Sequence, residues 1–422
     1  MSADPGDPLQ FARFAQAHDP ALAAQRFLPR ELYGEYLQQL LRQAAQTAAA
    51  QVTFESVRGD ATTLHRIDSH GPYLIGFSDR RQLLADEVVL ACGDPQPVDS
   101  PWLSGIAGHP SYVCDPHCDA ALRADGKRML LIGTALTMAD VAVAAVAHNP
   151  CIELHALSRH GLLPAVQSGA ATHSADAVTD FRPYLADGPV GALHLLRAFR
   201  ALLHDLQRRG GDWLDAVNAA RLAAPALWQR MPAAERHRFL RHLRVYWDVH
   251  RHRMAPATGA QLAQLRQAGR LQIHAGHMLT IEDAGGSLRV RWRPRGTTAL
   301  RELTFDRVID CSGSARRLER TQDPLLRGLI ATGLAVPDPL GLGWLTGAHG
   351  ALIDGDGRTA RHLHYLGPML RADHWEATAV GELRLHAQRL AAELVRNDAR
   401  AGAASATGYS TNHSMSCTSP RL

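Results

Sequence analysis

The 422-residue chain is short of several things, and each shortage excludes a class of protein. It lacks charge of one sign: 45 Lys and Arg stand against 41 Asp and Glu, for a net charge of only +4. Acids and bases are interleaved, so no basic groove for nucleic acid is indicated, and the surplus arginine reads as solvated surface. No stretch approaches the ~20 apolar residues that span a bilayer, so no membrane segment is expected. The first residues, Met1-Ser2-Ala3-Asp4-Pro5-Gly6-Asp7-Pro8, show neither the basic nor the apolar region of a signal peptide. Six cysteines do not make a disulfide framework, which favours a reducing cytoplasm. No Gly-x-Ser-x-Gly elbow, His-Glu-x-x-His or P-loop occurs, so hydrolase and kinase chemistry lack support. Aromatics are few, at 6%.

What is present is ordinary core-forming material, 46% hydrophobic and 20% charged, enough for two or three domains. From Glu31 to about Ala50, Leu32, Leu37, Leu40, Leu41 and Ala44 recur at helical spacing, with Pro29 just ahead. Strand-like runs follow at Val52–Val57, Thr62–Asp68 and Tyr73–Phe77, and Glu87–Gly93 is a short apolar strand ending at glycine. A similar order recurs at Leu271–His274, Leu288–Trp292 and Arg307–Gly313, with Gly285-Gly286 as a turn. This quasi-repeat predicts two domains of related architecture. Between them lies a helical block, about Val190 to Arg253. The tail after Arg400 has no periodicity and reads as disordered.

The strongest chemical signal is strand–turn–helix–strand. Lys127–Ile132 is a buried-strand pattern that runs into Gly133-Thr134-Ala135, an apolar helix to about His148, and a second strand, Cys151–Leu157. That is the setting a dinucleotide fingerprint requires. Gly133 permits the tight turn, small Ala135 admits a pyrophosphate, and the helix N-terminus offers free N–H groups to phosphate. Ala135 and Met138 stand where glycines are usual, so the setting carries the argument rather than the motif. The second strand ends at Ser158-Arg159, suited to a 2′-phosphate and therefore to NADPH over NADH. The ordinary alternative is a structural βαβ crossover.

These motifs resemble the FAD/NAD(P)-binding protein family related to flavin-dependent N-hydroxylases and Baeyer–Villiger-type monooxygenases. The likeness is carried by Phe27-Leu28-Pro29-Arg30-Glu31-Leu32-Tyr33-Gly34-Glu35-Tyr36-Leu37, by Leu90-Ala91-Cys92-Gly93-Asp94, by the Gly133–Asp140 turn and by Ser158–Pro164. Tyr246–Arg253, Leu366-Gly367-Pro368 and Trp375–Val380 extend it to about residue 396. Within the family it is similar to FAD-dependent urate hydroxylases of bacterial purine catabolism. The resemblance implies an α/β fold with two Rossmann-like domains, β-meanders and a helical insertion. The FAD domain would be discontinuous, 1–122 and 300–400. The NAD(P)H domain would be 123–299, with its insertion at about 180–255, and 401–422 a tail. Such proteins begin with a strand and a Gly-x-Gly-x-x-Gly turn for the FAD pyrophosphate. None precedes residue 30, so the FAD domain is expected to lack its first βα unit and the start to be internal.

The resemblance also assigns cofactor residues. Arg30 would face phosphate or flavin, with Tyr33 beside it, and the backbone near Val57 would meet adenine. Gly93 and Gly313 would mark the crossings between domains, and Gly367-Pro368 would pass the ribityl chain. The helix after Thr378-Ala379, with Leu383, Ala387, Leu390, Ala391 and Leu394 on one stripe, would aim its N-terminus at the flavin. NAD(P)H would reduce FAD, and molecular oxygen would hydroxylate a small substrate. The expected reaction is urate to 5-hydroxyisourate. The alternatives are N-hydroxylation of an amine or amino acid, another FAD/NAD(P)H oxidation, or a non-catalytic nucleotide-binding module.

Two clusters remain. His109, Cys114, His117 and Cys118 lie within ten residues, but the spacing fits no common zinc signature and the segment reads as an interdomain linker, so no metal is expected. Arg241, Tyr246, Trp247, His250 and Arg251 are candidates for an anion pocket with an aromatic wall, against the ordinary reading of a solvated basic helix face.

Overall fold

The computed structural model describes the chain except residues 1, 25–26, 69–70, 95–101, 103–104, 119–125, 168–179, 186, 314–316 and 409–422. Two helices come first, α1 (Gln10–His18) and α2 (Arg30–Thr47). They bury Phe11, Ala15, Leu32 and Tyr36 against each other. The antiparallel meander β1 (Ala61–Arg66), β2 (Tyr73–Phe77) and β3 (Gln82–Ala85) follows, then β4 (Val88–Leu90).

Next comes a seven-stranded sheet built from β5 (Tyr112–Val113), β6 (Arg128–Ile132), β7 (Glu153–Ser158), β8 (Leu271–Asp283), β9 (Leu288–Pro294), β10 (Arg301–Phe305) and β11 (Arg307–Asp310). Its order is β10-β9-β8-β7-β6-β11-β5. Strands β8, β7, β6, β11 and β5 are parallel, while β9 and β10 form an antiparallel flap. Helix α3 (Leu136–His148) is the crossover between β6 and β7. Both faces of β6 are covered, which is why it reads as an unbroken apolar run. Met129 and Leu131 pack with α3 residues Val141 and Ala142 on one face. Leu130 and Ile132 pack with Val290, Trp292 and Phe305 on the other.

The block between β7 and β8 is helical: α4 (Ala192–Arg208), α5 (Trp213–Arg230), α6 (Ala233–His242), α7 (Arg244–Arg251) and α8 (Pro256–Gln267). Asp212 caps α5 by accepting from Leu214 and Asp215 N–H, and the Asp215 side chain accepts from the Asp212 N–H. That reciprocal cap fixes where the helix starts. After β11 come α9 (Pro324–Ala331), β12 (Ala351–Ile353), β13 (Thr359–Tyr365) and α10 (Val380–Gly408). The third sheet has the order β12-β13-β4, with β13 parallel to β4. Its core holds Trp344, Leu363 and Tyr365, all fully buried.

The α/β class, the two nucleotide-domain cores, the meanders and the helical insertion agree with the sequence reading, and four details correct it. Residues 112–113 and 301–310 belong to the seven-stranded sheet, not to the FAD segments at 1–122 and 300–400. Tyr112-Val113 is thus an edge strand inside the stretch expected to be a linker. Val52–Val57 is no strand: its alternation is strand-like, but no described strand pairs with it, and Val52 and Phe54 are exposed. A strand exists only when a neighbour takes its backbone hydrogen bonds. Residues 401–408, expected to be disordered, continue α10; the rest of that tail lies outside the described residues.

Candidate functional site

The parallel strand order reverses between β6 and β11, and the crevice outside the carboxyl ends of such strands is where open α/β sheets bind nucleotides. Gly133 leaves β6 with φ of 111°, a conformation L side chains rarely adopt. A Cβ there would lie 2.5 Å from the Cys311 carbonyl oxygen, so glycine is required by the neighbouring strand as well as by the turn. Ala135 is the N-cap of α3 and supplies no side-chain cap, which leaves the first helical N–H groups without an internal acceptor. The Thr134 hydroxyl donates to Leu162 O at 2.6 Å and lies 2.9 Å from Ser158 Oγ, which accepts from Gly161 N at 2.9 Å. Both hydroxyls therefore brace the loop after β7, and exposed Arg159 is carried at its tip.

The second candidate position lies at the carboxyl ends of β4 and β13. Tyr365 ends β13 and donates its hydroxyl to Gly93 O at 3.0 Å while accepting from Met369 N at 3.2 Å. A Cβ on Gly367 would fall 2.4 Å from that hydroxyl, whereas one on Gly93 would meet nothing within 4 Å. Arg371 stands over this corner. Its Nε is buried with no hydrogen-bond partner, and burial, then Arg244, holds its pKa below the usual arginine value. An open Gly93 backbone beside a guanidinium whose buried Nε lacks a partner fits a phosphate-bearing cofactor such as FAD. Thr378-Ala379 precede α10, and Ala379 N donates to Glu376 O at 3.0 Å.

Other candidates take different places. Arg30 pairs with Asp140 of α3 at 3.3 Å on the surface. Tyr33 packs edge-on to Phe11, with ring centroids 4.9 Å apart. Val57 lies half-exposed in the segment without strand, and Gly313 follows β11 with φ of 90°. Arg241, Tyr246 and His250 stay on the outer face of the insertion, and His250 packs edge-on to Trp213 at 5.2 Å. Trp247 joins the helical core around Trp228 and Trp375. Of the five pocket candidates, Arg251 is the buried one: its Nε donates to Glu376 Oε2 at 2.5 Å, with 12% and 5% of the two side chains exposed.

Arg251 and Glu376 have company that sequence reasoning missed. Arg221 Nε of α5 lies 3.8 Å from the same carboxylate oxygen. The signal was readable. Val217, Ala220, Arg221, Ala224 and Trp228 fall on one helical face, and its four apolar members are buried, so Arg221 points inward. Arg371 had no such signal, because it sits in a five-residue 3-10 helix, Pro368–Ala372, too short to show a periodic face.

No group of three or more His, Cys, Asp or Glu that could hold a metal occurs among the described residues. His109 Nε2 instead meets Asp283 Oδ1 at 3.2 Å, and its Nδ1 accepts from Ser111 N. No described helix is long and apolar enough to cross a membrane.

Residues 1–95 match a family described as FAD-NAD(P)-binding. No curated protein matches the chain. Solved structures do. L-lysine 6-monooxygenase from Pseudomonas syringae superposes with a TM-score of 0.62 at 17% identity, over 93% of this chain and 83% of that one. The cadaverine monooxygenase of desferrioxamine biosynthesis from Erwinia amylovora, bound to FAD, gives 0.60 at 11% identity, over 93% and 80%. The ornithine N-hydroxylase of Kutzneria sp. 744, with reduced FAD, NADP+ and L-ornithine, gives 0.55 at 14% identity, over 92% and 83%. The fold is therefore shared with flavoprotein monooxygenases, and the structures from Erwinia amylovora and Kutzneria sp. 744 hold FAD, the latter with NADP+ as well.

Proposed function

We propose that the protein is an FAD- and NAD(P)H-dependent monooxygenase that uses molecular oxygen to hydroxylate the amine nitrogen of a small molecule. The observation that carries this reading is the convergence of three features. They are a seven-stranded sheet with a dinucleotide-type turn at Gly133, an open backbone at Gly93 beside the close turn at Gly367, and an inward-facing arginine, Arg251, delivered by the insertion to the segment after Gly367. Bound FAD supplies two-electron chemistry and activation of oxygen, with hydride drawn from NAD(P)H.

The chain's own residues bind and orient. Gly133, Thr134 and Ala135 leave the α3 N-terminus open to pyrophosphate. Ser158 shapes the loop that carries Arg159, which would pair with a 2′-phosphate and favour NADPH. Gly93, Gly367, Pro368 and Arg371 would line the FAD phosphates and ribityl chain. The N-terminus of α10 at Thr378-Ala379 would favour negative charge on a group placed before it.

Urate, the substrate the sequence reading expected, draws no support from the comparisons, since the solved structures named above act on lysine, cadaverine and ornithine. The amine reading replaces it. The deciding assay loads the full chain with FAD and follows NADPH oxidation with L-ornithine, L-lysine, cadaverine or urate. Amine-stimulated oxidation with a hydroxylamine product supports the proposal. Stimulation by urate alone would sink it, and flavin binding without any substrate-stimulated turnover would favour a non-catalytic nucleotide-binding module.

A further inference from the structure

The insertion and the segment after Gly367 meet at a knot of charge that does not cancel. Arg221 on α5 and Arg251 at the end of α7 gather at one carboxylate, Glu376, and Arg253 just beyond them acts on both arginines. Arg251 Nε donates to Glu376 at 2.5 Å, and Arg221 Nε lies 3.8 Å from the same oxygen. Arg253 Nη2 donates to Asn218 Oδ1 at 3.3 Å, a neutral partner. Among the described residues, Glu376 is the one carboxylate within salt-bridge distance of these three cations.

The surrounding carboxylates are committed elsewhere. Asp248 faces Arg244 at 3.2 Å and His252 at 4.0 Å. The Asp212 side chain caps α5 and acts on Arg253 only at longer range. Glu382, in the first turn of α10, acts on Arg221 only at longer range.

Two buried guanidinium nitrogens, Arg251 Nη2 and Arg253 Nη1, have no hydrogen-bond partner. An unmet buried donor is costly, more so on a charged group, and unbalanced buried cations add to the cost. Burial, reinforced by Arg251, holds the pKa values of Arg221 and Arg253 below the usual arginine value. A packing role gives no reason for this arrangement, since apolar side chains would fill the same space at lower cost. Guanidinium forks do match one partner class well: oxyanions, which can accept from two N–H groups at once. Arg221 keeps 31% of its side chain exposed, which leaves an approach from solvent.

We propose that Arg221, Arg251 and Arg253 form a binding site for a dianionic oxyanion group, a phosphate or a dicarboxylate, of a small-molecule ligand, with Glu376 holding Arg251 in place. That the ligand is the hydroxylated amine rests on the function proposed above; the ion site itself does not.

The test uses the full chain without added flavin. Inorganic phosphate and, separately, malonate are titrated calorimetrically against chloride at equal ionic strength. Saturable binding is expected, weakened by about tenfold or more in Arg253→Gln and in Arg221→Gln, as removal of a charged hydrogen bond predicts. Both variants leave the Arg251–Glu376 pair intact, so loss of binding would not reflect loss of that pair. Arg159→Gln, at the nucleotide loop, is expected to bind as the parent does. Preference for phosphate or for malonate assigns the ligand class. No binding beyond chloride overturns the proposal, as does full affinity in both pocket variants or loss confined to Arg159→Gln. Absence of amine hydroxylation with ion binding intact would remove the substrate assignment and leave the site standing.

Discussion

Arg251 and Glu376, 125 residues apart in sequence, meet in a 2.5 Å hydrogen bond that ties the helical insertion to the turn before α10. Both side chains are nearly inaccessible, so each is the other's main compensation for lost hydration. Removing Glu376 strands buried Arg251, whereas removing Arg251 leaves Glu376 beside Arg221. Glu376→Leu is expected to lower stability by about 3–5 kcal/mol, and Arg251→Met by less. The double change Arg251→Met with Glu376→Leu should recover much of that loss. Urea unfolding of the three variants checks this; additive losses in the double variant would refute it.

Gly133 makes a sharper prediction. Alanine there must take a positive φ and place a Cβ 2.5 Å from the Cys311 carbonyl oxygen. Gly133→Ala is expected to cost about 1–3 kcal/mol and to weaken NADPH binding by displacing the turn. Thermal unfolding and a fluorescence titration with NADPH read the two effects. Unchanged stability would mean the turn is looser than described.

Arg371 offers a test of the proposed FAD position. Its Nε is buried without a partner beside Tyr365 and the Gly93 corner. Arg371→Met keeps the bulk and removes the donors. FAD affinity, followed by flavin fluorescence, is expected to fall by about tenfold to a hundredfold while the fold is retained. Parental affinity in this variant would move the cofactor away from Arg371.

Acid should weaken the protein before carboxylate chemistry begins. His274 is pushed down to about 4 by burial, then by the adjacent His155, whose Nδ1 lies 2.9 Å from it. His386 is likewise pushed to about 4 by burial, then by His374. The unfolded chain takes up these protons near the ordinary histidine value of 6.5; the folded chain does so only near 4. Their contribution is therefore complete above pH 6.5 and is lost progressively as pH falls from 6.5 to 4. The thermal midpoint should drop between pH 7 and pH 5, and less steeply in His274→Gln. An unchanged slope in that variant would show that His274 titrates normally.

Much of the fold was legible because it follows local rules. The unbroken apolar run of β6, the glycine after it, the apolar helix α3 and the second strand form a unit whose period and punctuation are visible residue by residue. The meander β1–β2 and the strand β4 fell close to where alternation put them. Val52–Val57 carried the same alternation without becoming a strand, because strand formation also depends on a pairing neighbour. The domain edges moved for a related reason. Whether β5 and β11 join the nucleotide sheet is settled by long-range pairing that no local pattern encodes, whereas β10 joins it through its hairpin with β9.

The sequence by itself determined the class of the fold: an α/β chain with a dinucleotide-type strand–turn–helix–strand unit and a helical insertion rich in arginine. Only the tertiary structure decided which arginines matter. Arg241 and Arg251 both lie in a basic helical stretch, yet one ends in solvent and the other on a buried carboxylate. Helical spacing reports the face a residue occupies, and burial depends on what packs against that face. The same holds for Arg371 and Glu376, which with Arg221 belong to separate segments and become a site only when the insertion folds back against the turn that precedes α10.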